Sequence, residues 1–274
     1  MEAYFDHLSR AELEATGAQI HPTALISKGA EFGENVVIGP NVVIGPKVRL
    51  ANNVIVGAGA IVSGRASVGD GTRIYPYATV GCAPQDLKYA GEDTELVIGS
   101  SNSIREYVNI SIGTKGGGGR TVIGDNNLFM AYTHIAHDCL IGDDCVFANG
   151  VQIAGHVTIS NNVTFGGMSG GHQFCLFGEY AMVGAGAIVV QDVPPYCMVQ
   201  GDRARINGIN IVGLRRSGIS LENLNIIKEM YRFLFKGNLT LDDAIAKIQD
   251  ETTESDYRDK FLKFLKQSER GICR

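Results

Sequence analysis

Tryptophan is absent from the 274 residues, and no apolar run approaches the ~18 residues of a membrane-spanning helix, so no membrane span is expected. Residues 1–19, MEAYFDHLSRAELEATGAQ, mix charges without an apolar core, which argues against a secretory signal and makes a cytoplasmic home the default. The cysteines at 82, 139, 145, 175, 197 and 273 form no CxxC pair. A chain this long needs no disulfide staples, so they read as free thiols, mostly small core fillers. There is no excess of positive charge either. The formal net charge of −5 argues against nonspecific nucleic-acid binding.

What remains is a globular composition, long enough for one large domain and a small one. Its anomaly is glycine, with 35 residues that are not scattered. Every sixth residue from Ile20 is apolar: positions 26, 32, 38, 44, 50, 56, 62, 68, 74 and 80 carry Ile, Phe, Ile, Ile, Leu, Val, Val, Val, Ile and Val. The phase breaks over 83–96, resumes at Ile98, Ile104 and Ile110, and breaks again over TKGGGGRT at 114–121. It restarts at Ile123 and continues to Val189, with Gly171 as the exception.

Neither a helix nor an ordinary sheet repeats every six residues. A short strand and a tight turn do, and three such units close one coil of a parallel β-helix. The apolar residues point inward and stack, while glycine and small residues are expected to turn the corners, where positive φ is easiest. From about Ser220 the spacing changes to that of amphipathic helices, with Ser220 as N-cap and Gly237 at the end of the first. The expected fold class is therefore all-β, a β-helix over 20–219, with a small C-terminal α-helical domain over 220–274. Residues 1–19 form a peripheral extension with a short helix after Ser9.

The stretch AYTHIAHDCLIGDD, 131–144, concentrates polar chemistry on this frame. In an 18-residue coil, residues eighteen apart lie above one another at about 4.8 Å. His137 then lies under Gly155 and Gln173, Asp138 lies under His156, and His172 is nearby. Solvated corner residues are one reading of this column. A zinc site is another, since some hexapeptide β-helices are carbonic anhydrases, but His134 and His137 are an odd number of residues apart and should diverge. The catalytic reading makes His137 a general base, Asp138 its orienting carboxylate, and the Gly155 N–H an oxyanion donor, a set suited to acyl transfer to a hydroxyl. A noncatalytic β-helix that binds nucleotide sugar or carrier protein is the third possibility.

HIAHDC at 134–139, AGHV at 154–157, HQFC at 172–175, QDVPPY at 191–196 and QDLKYAGE at 85–92 together resemble the UDP-N-acetylglucosamine acyltransferases that begin lipid A synthesis. The resemblance covers roughly residues 20 to 274 and implies a left-handed coil and a homotrimer with active sites between subunits. It implies that His137 deprotonates the sugar 3-hydroxyl, which attacks a 3-hydroxyacyl thioester on acyl carrier protein. No further cofactor and no metal are implied, because the phosphopantetheine of the carrier delivers the acyl group.

By the same resemblance Asp86, Lys88, His134, His156 and Gln173 contact UDP-N-acetylglucosamine, the 85–92 loop reaching the histidine edge of a neighbouring subunit. Residues 202–216, DRARINGINIVGLRR, carry four arginines against one aspartate. They read as a solvated basic loop, or as a docking patch for acidic carrier protein or a diphosphate clamp. The resemblance favours the latter, with Asn210, Arg215 and Arg216 as candidates. Gly167, Ala185 and Arg203 fall at 18-residue intervals and are expected to line and cap an acyl groove. Two departures stand out: Ser111 and Ile112 occupy positions where the family commonly has histidine and a basic residue, and Arg203 stands in a segment that more often bears histidine.

Overall fold

The computed structural model describes residues 6–274, so the first five residues of the expected N-terminal extension lie outside the described residues. Helix α1, Arg10–Ala15, begins at a capping box in which Ser9 and Glu12 satisfy each other's backbone N–H groups. The chain then winds as strands of mostly two residues, most of them ending on an inward apolar side chain. Three sheets result, of 11, 9 and 8 strands. Their pairings are parallel, apart from Arg205–Ile209 against Cys197–Gln200.

Register follows the repeat. Ile20 pairs with Ile38, Ile26 with Ile44 and Phe32 with Leu50. Inside the coil, Phe129, Phe147 and Phe165 stack with ring centroids 4.8 and 5.2 Å apart. Such pairs contribute about 0.5–1.5 kcal/mol each beyond the area they bury.

The excursions alter the count and leave a register irregularity beside the first, where Val80 pairs with Ile110 but Cys82 with Ser111. Thr79 pairs with Asn109 across the first, and Asn109 with His134 across the second. Both loops are extruded at corners, so the strands on either side still meet in phase.

Several expectations are corrected. Most corners are turned not by glycine but by Asn, Asp, Tyr and His held at positive φ, as at Asn53, Tyr132, Asp138 and His156. The glycine that follows many inward residues answers to a different constraint, close approach of the next coil. A Cβ on Gly142 would lie 2.9 Å from the Asn161 nitrogen. The last coil is also short: Val183 pairs with Val199, sixteen residues on. Arg203 therefore does not stack on Ala185, which falls in register with Gly201. All three of Ala185, Gly201 and Arg203 are exposed, and Gly167 is half-buried.

All-β describes the coil alone, because five α-helices occur among the described residues. The helical part begins at α2, Ile211–Arg216, rather than at Ser220. Helix α3, Leu221–Lys236, runs between Ser220 and Gly237, followed by α4, Leu241–Glu251, and α5, Asp256–Gln267. Their second core includes Leu214, Leu224, Ile227, Met230 and Phe261. Tyr196, fully buried at the end of the coil, ties the two parts together: its ring packs against Phe261 and its hydroxyl donates to the Tyr257 carbonyl at 3.3 Å.

Candidate active site

The strand His134–Ile135 belongs to the second sheet, whose inward column is Ile110, Ile135, Ile153 and Gly171. His134 faces outward from it and Ile135 inward. The chain then turns a corner at Ala136–Cys139 and enters the third sheet at Leu140–Ile141. That corner carries His137 and Asp138, the latter at φ 60°. The Asp138 side chain is 0% exposed and that of His137 only 11%.

His137 Nδ1 lies 2.8 Å from Asp138 Oδ2. An ionised carboxylate only accepts, so the shared proton sits on Nδ1 and leaves Nε2 as the basic nitrogen. Asp138 also accepts from the Thr114 N–H at 2.8 Å and the Thr114 hydroxyl at 2.6 Å. One coil on, a Cβ at Gly155 would come within 2.6 Å of His137 Cε1, so glycine is required for the ring to lie where it does. The Gly155 N–H donates no hydrogen bond among the described residues. A buried N–H of this kind is available to a developing negative charge.

His156 sits above Asp138, with its Nδ1 3.8 Å from Asp138 Oδ2 and its ring edge-on to His137 at 5.0 Å. The other side of the His156 ring stacks on Phe174 at 4.5 Å. Burial lowers the basicity of His156 despite the opposing pull of Asp138 and of Asp86. His134 Nδ1 is 2.7 Å from Asn109 Oδ1, and burial, assisted by the charge of His137, lowers its basicity too. An amide oxygen only accepts, so Nδ1 of His134 carries the proton and Nε2 is an acceptor. Cys139 is buried, its thiol pushed up to about 12 by burial, which leaves no accessible thiolate.

His134 and His137, expected to diverge, line one cavity of about 410 Å³, His134 from the second sheet and His137 from the corner that follows it. Gly155, His172 and Gln173 line it as well, and so do Gln85, Gln152, Gly170, Gly171 and Ile188, which the sequence reading missed. Gln152, Gly170 and Ile188 continue the outward column of His134. The 18-residue interval applied to His134 rather than His137 would have found them. Gln85 lies in the first excursion and had no such signal.

That excursion lies against the histidine edge of its own chain: Gln85 lines the cavity, and Asp86 is close enough to act on His156 electrostatically. Contrary to expectation, no neighbouring subunit is needed to bring it there. Asp86 is half-buried and accepts from the Lys88 backbone N–H at 3.0 Å, with the Lys88 side chain exposed.

Asn210, Arg215 and Arg216 do not join the cavity within the chain. Asn210 caps α2, accepting from the Gly213 N–H at 3.0 Å and donating to the Tyr180 carbonyl at 3.0 Å. Tyr180 turns the corner between the third and first sheets, away from the corner of His137. Arg215 and Arg216 are exposed in the last turn of α2.

His137, Asp138 and His156 form the one cluster among the described residues whose donor atoms lie within 4.8 Å of one another. A cation there would have to displace the Thr114 and His137 donors that already occupy Asp138. The arrangement is better suited to orienting an imidazole than to enclosing an ion.

A family model described as Udp N-acetylglucosamine O-acyltransferase, Domain 2, matches residues 192–273, and the bacterial transferase hexapeptide model matches 17–52 and 120–155. The chain is 47% identical over 253 residues to the acyl-(acyl-carrier-protein)–UDP-N-acetylglucosamine O-acyltransferase of Aliarcobacter butzleri, covering 92% of this chain and 97% of that one. The crystal structure of a UDP-N-acetylglucosamine acyltransferase from Bacteroides fragilis superposes with a TM-score of 0.90 at 38% identity, over 93% of this chain and all of the other. The UDP-N-acetylglucosamine acyltransferase of Campylobacter jejuni gives 0.89 at 36% identity, over 93% and 99%.

Proposed function

The chain belongs to the UDP-N-acetylglucosamine O-acyltransferase family, and on that premise we propose that it transfers a 3-hydroxyacyl chain from acyl carrier protein to the 3-position of UDP-N-acetylglucosamine, the first step of lipid A synthesis. His137 Nε2 takes the proton of the sugar 3-hydroxyl as the oxygen attacks the thioester carbon. The Gly155 N–H holds the oxyanion. Collapse breaks the carbon–sulfur bond, and the imidazolium returns the proton to the departing thiol of the phosphopantetheine arm. The reaction needs no further cofactor.

The observation that carries this reading is the buried contact between His137 Nδ1 and Asp138 at 2.8 Å, made on the wall of the cavity. It fixes the tautomer that leaves Nε2 free to act as a base. His134 and Gln173, which line the cavity with His137, and His156 and Asp86 beside them are assigned as contacts for the sugar nucleotide. Gly170 and Ile188, which line the cavity, with Gly167 and Ala185 three residues before them, are assigned as the path of the acyl chain.

In this reading the coil is left-handed and the enzyme works in the cytoplasm as a homotrimer. Asn210, Arg215 and Arg216, remote from the cavity in their own chain, then serve a neighbour's nucleotide or dock the acidic carrier protein. Among the described residues no helix is long and apolar enough to cross a membrane.

The test is mass spectrometry of the product formed from a mixture of acyl carrier thioesters, offered UDP-N-acetylglucosamine and its 3-amino counterpart. An O-acylated sugar nucleotide bearing a 3-hydroxyacyl chain is expected. Absence of any acylated sugar nucleotide would overturn the assignment.

A further inference from the structure

The glycine-rich excursion over 114–121 is closed on Asp138 from both ends. At its start, Thr114 gives the carboxylate two hydrogen bonds, backbone to Oδ1 at 2.8 Å and hydroxyl to Oδ2 at 2.6 Å. At its end, the Thr121 hydroxyl accepts from the Asp138 backbone N–H at 2.9 Å. Both threonines are buried. Between them Gly117 passes so near that a Cβ there would fall on the carboxylate itself. Lys115, the residue after Thr114, is exposed.

The loop is itself tied down. Gly117 and Gly119 donate to the Thr114 carbonyl at 3.1 and 2.9 Å, and Gly113 donates to the Glu95 carbonyl at 3.1 Å. Gly117 lets the backbone cover Asp138 where a side chain would push it away, while Gly118 and Gly119 supply the positive φ the loop turns on. The Thr114 hydroxyl and His137 Nδ1 share one oxygen, Oδ2. The same contact that holds the carboxylate in place therefore adjusts how strongly that oxygen grips the imidazole.

We propose that Thr114 is a positioning residue for the reaction, and that the 114–121 excursion is a fixed cap that keeps Asp138 dry and aimed at His137. This rests on the assignment of His137 as the base. Without the hydroxyl the carboxylate keeps one bond on each oxygen, the Thr114 N–H on Oδ1 and the imidazole on Oδ2, and loses the contact that fixes where Oδ2 meets the ring. The base is then held less rigidly in its tautomer and orientation.

The experiment compares the full-length protein with Thr114→Val, which keeps shape and loses the hydroxyl, and Thr114→Ser, which restores it. Two readouts are taken: kcat and KM in acyl transfer, and the proton NMR resonance of the His137 Nδ1–H. In Thr114→Val, kcat is expected to fall between about tenfold and a hundredfold, less than the upper range for losing a general base outright. KM for the sugar nucleotide is expected to stay within about twofold, since only the positioning of the base changes. The Nδ1–H resonance is expected to broaden by exchange with water, and Thr114→Ser to recover both properties.

A valine variant with wild-type kcat and an unaltered resonance would overturn the proposal. So would one that loses kcat only in proportion to lost folded protein while the resonance stays sharp. Should the wild type transfer no acyl group, the functional assignment fails on that result, and the resonance comparison still decides the role of Thr114.

Discussion

Gly155 lies one coil beyond His137, and a methyl group on it would meet the imidazole at 2.6 Å from Cε1 and 2.9 Å from Nε2. The obstacle would sit against the nitrogen assigned as the base. Gly155→Ala is therefore expected to move the ring off its line to the substrate and lower kcat by about a hundredfold or more, within the range for general-base catalysis. The melting temperature should change little, because His137 borders an open cavity and has space to move into. Steady-state kinetics with a matched thermal melt checks both expectations.

The outward column of Gln152, Gly170 and Ile188 drops to backbone at its centre. A Cβ on Gly170 would stand 3.3 Å from the Gln152 carbonyl oxygen and 3.6 Å from Ile188 Cδ1, close but not excluded. Gly170→Leu should keep the coil intact and fill the cavity where the acyl chain is assigned. Competition among carrier thioesters of graded length should show the product distribution moving to shorter chains. An unchanged distribution would place the chain elsewhere.

How far these features could be read from the sequence depends on whether the count of eighteen holds between the residues concerned. It holds from His137 to Gly155 and from Asp138 to His156, so that part of the site was legible. It fails below His134, where the second excursion makes Asn109 the true neighbour, 25 residues back. It fails again above Ala185, where the coil loses two residues and Arg203 drops out of the stack. Thr114 was illegible for a related reason. Its position over Asp138 is set by how a glycine loop folds back, and no period describes that. The helical boundary at Ile211 was hidden because Asn210 is the true N-cap there, in a segment whose arginines drew the reading toward binding.

Folding holds two histidines of the site less basic than in the open chain, His134 and His156, in both cases chiefly through burial. The unfolded chain protonates each near pH ~6.5, while the folded chain resists. As pH falls through that value the unfolded state binds more protons than the folded one, so stability falls, and it is regained as pH rises above it. Melting curves from pH 7.5 down to 5 should show this decline. It should be smaller in His134→Gln, which cannot take up the proton.

Phe177 fills the space that glycine leaves in the inward column, its Cε2 lying 3.1 Å from where a Gly171 Cβ would be. With no side chain at Gly171 to relax into the gap, Phe177→Ala leaves a void in the coil. It should cost ~3–5 kcal/mol, at the full range for losing a buried phenylalanine. Denaturant unfolding, followed by the signal of the β-helix, measures it.

The most direct test of the central claim is the rate of acyl transfer by His137→Ala, measured beside wild type at the same concentration of folded protein. Removal of the imidazole that Asp138 contacts by hydrogen bond should lower kcat by about 10³-fold or more, within the range for a lost general base. The circular dichroism spectrum and melting temperature should remain near those of wild type. A His137→Ala variant that retains activity within about tenfold would contradict the assignment, since no residue placed by the fold would then be acting as the base.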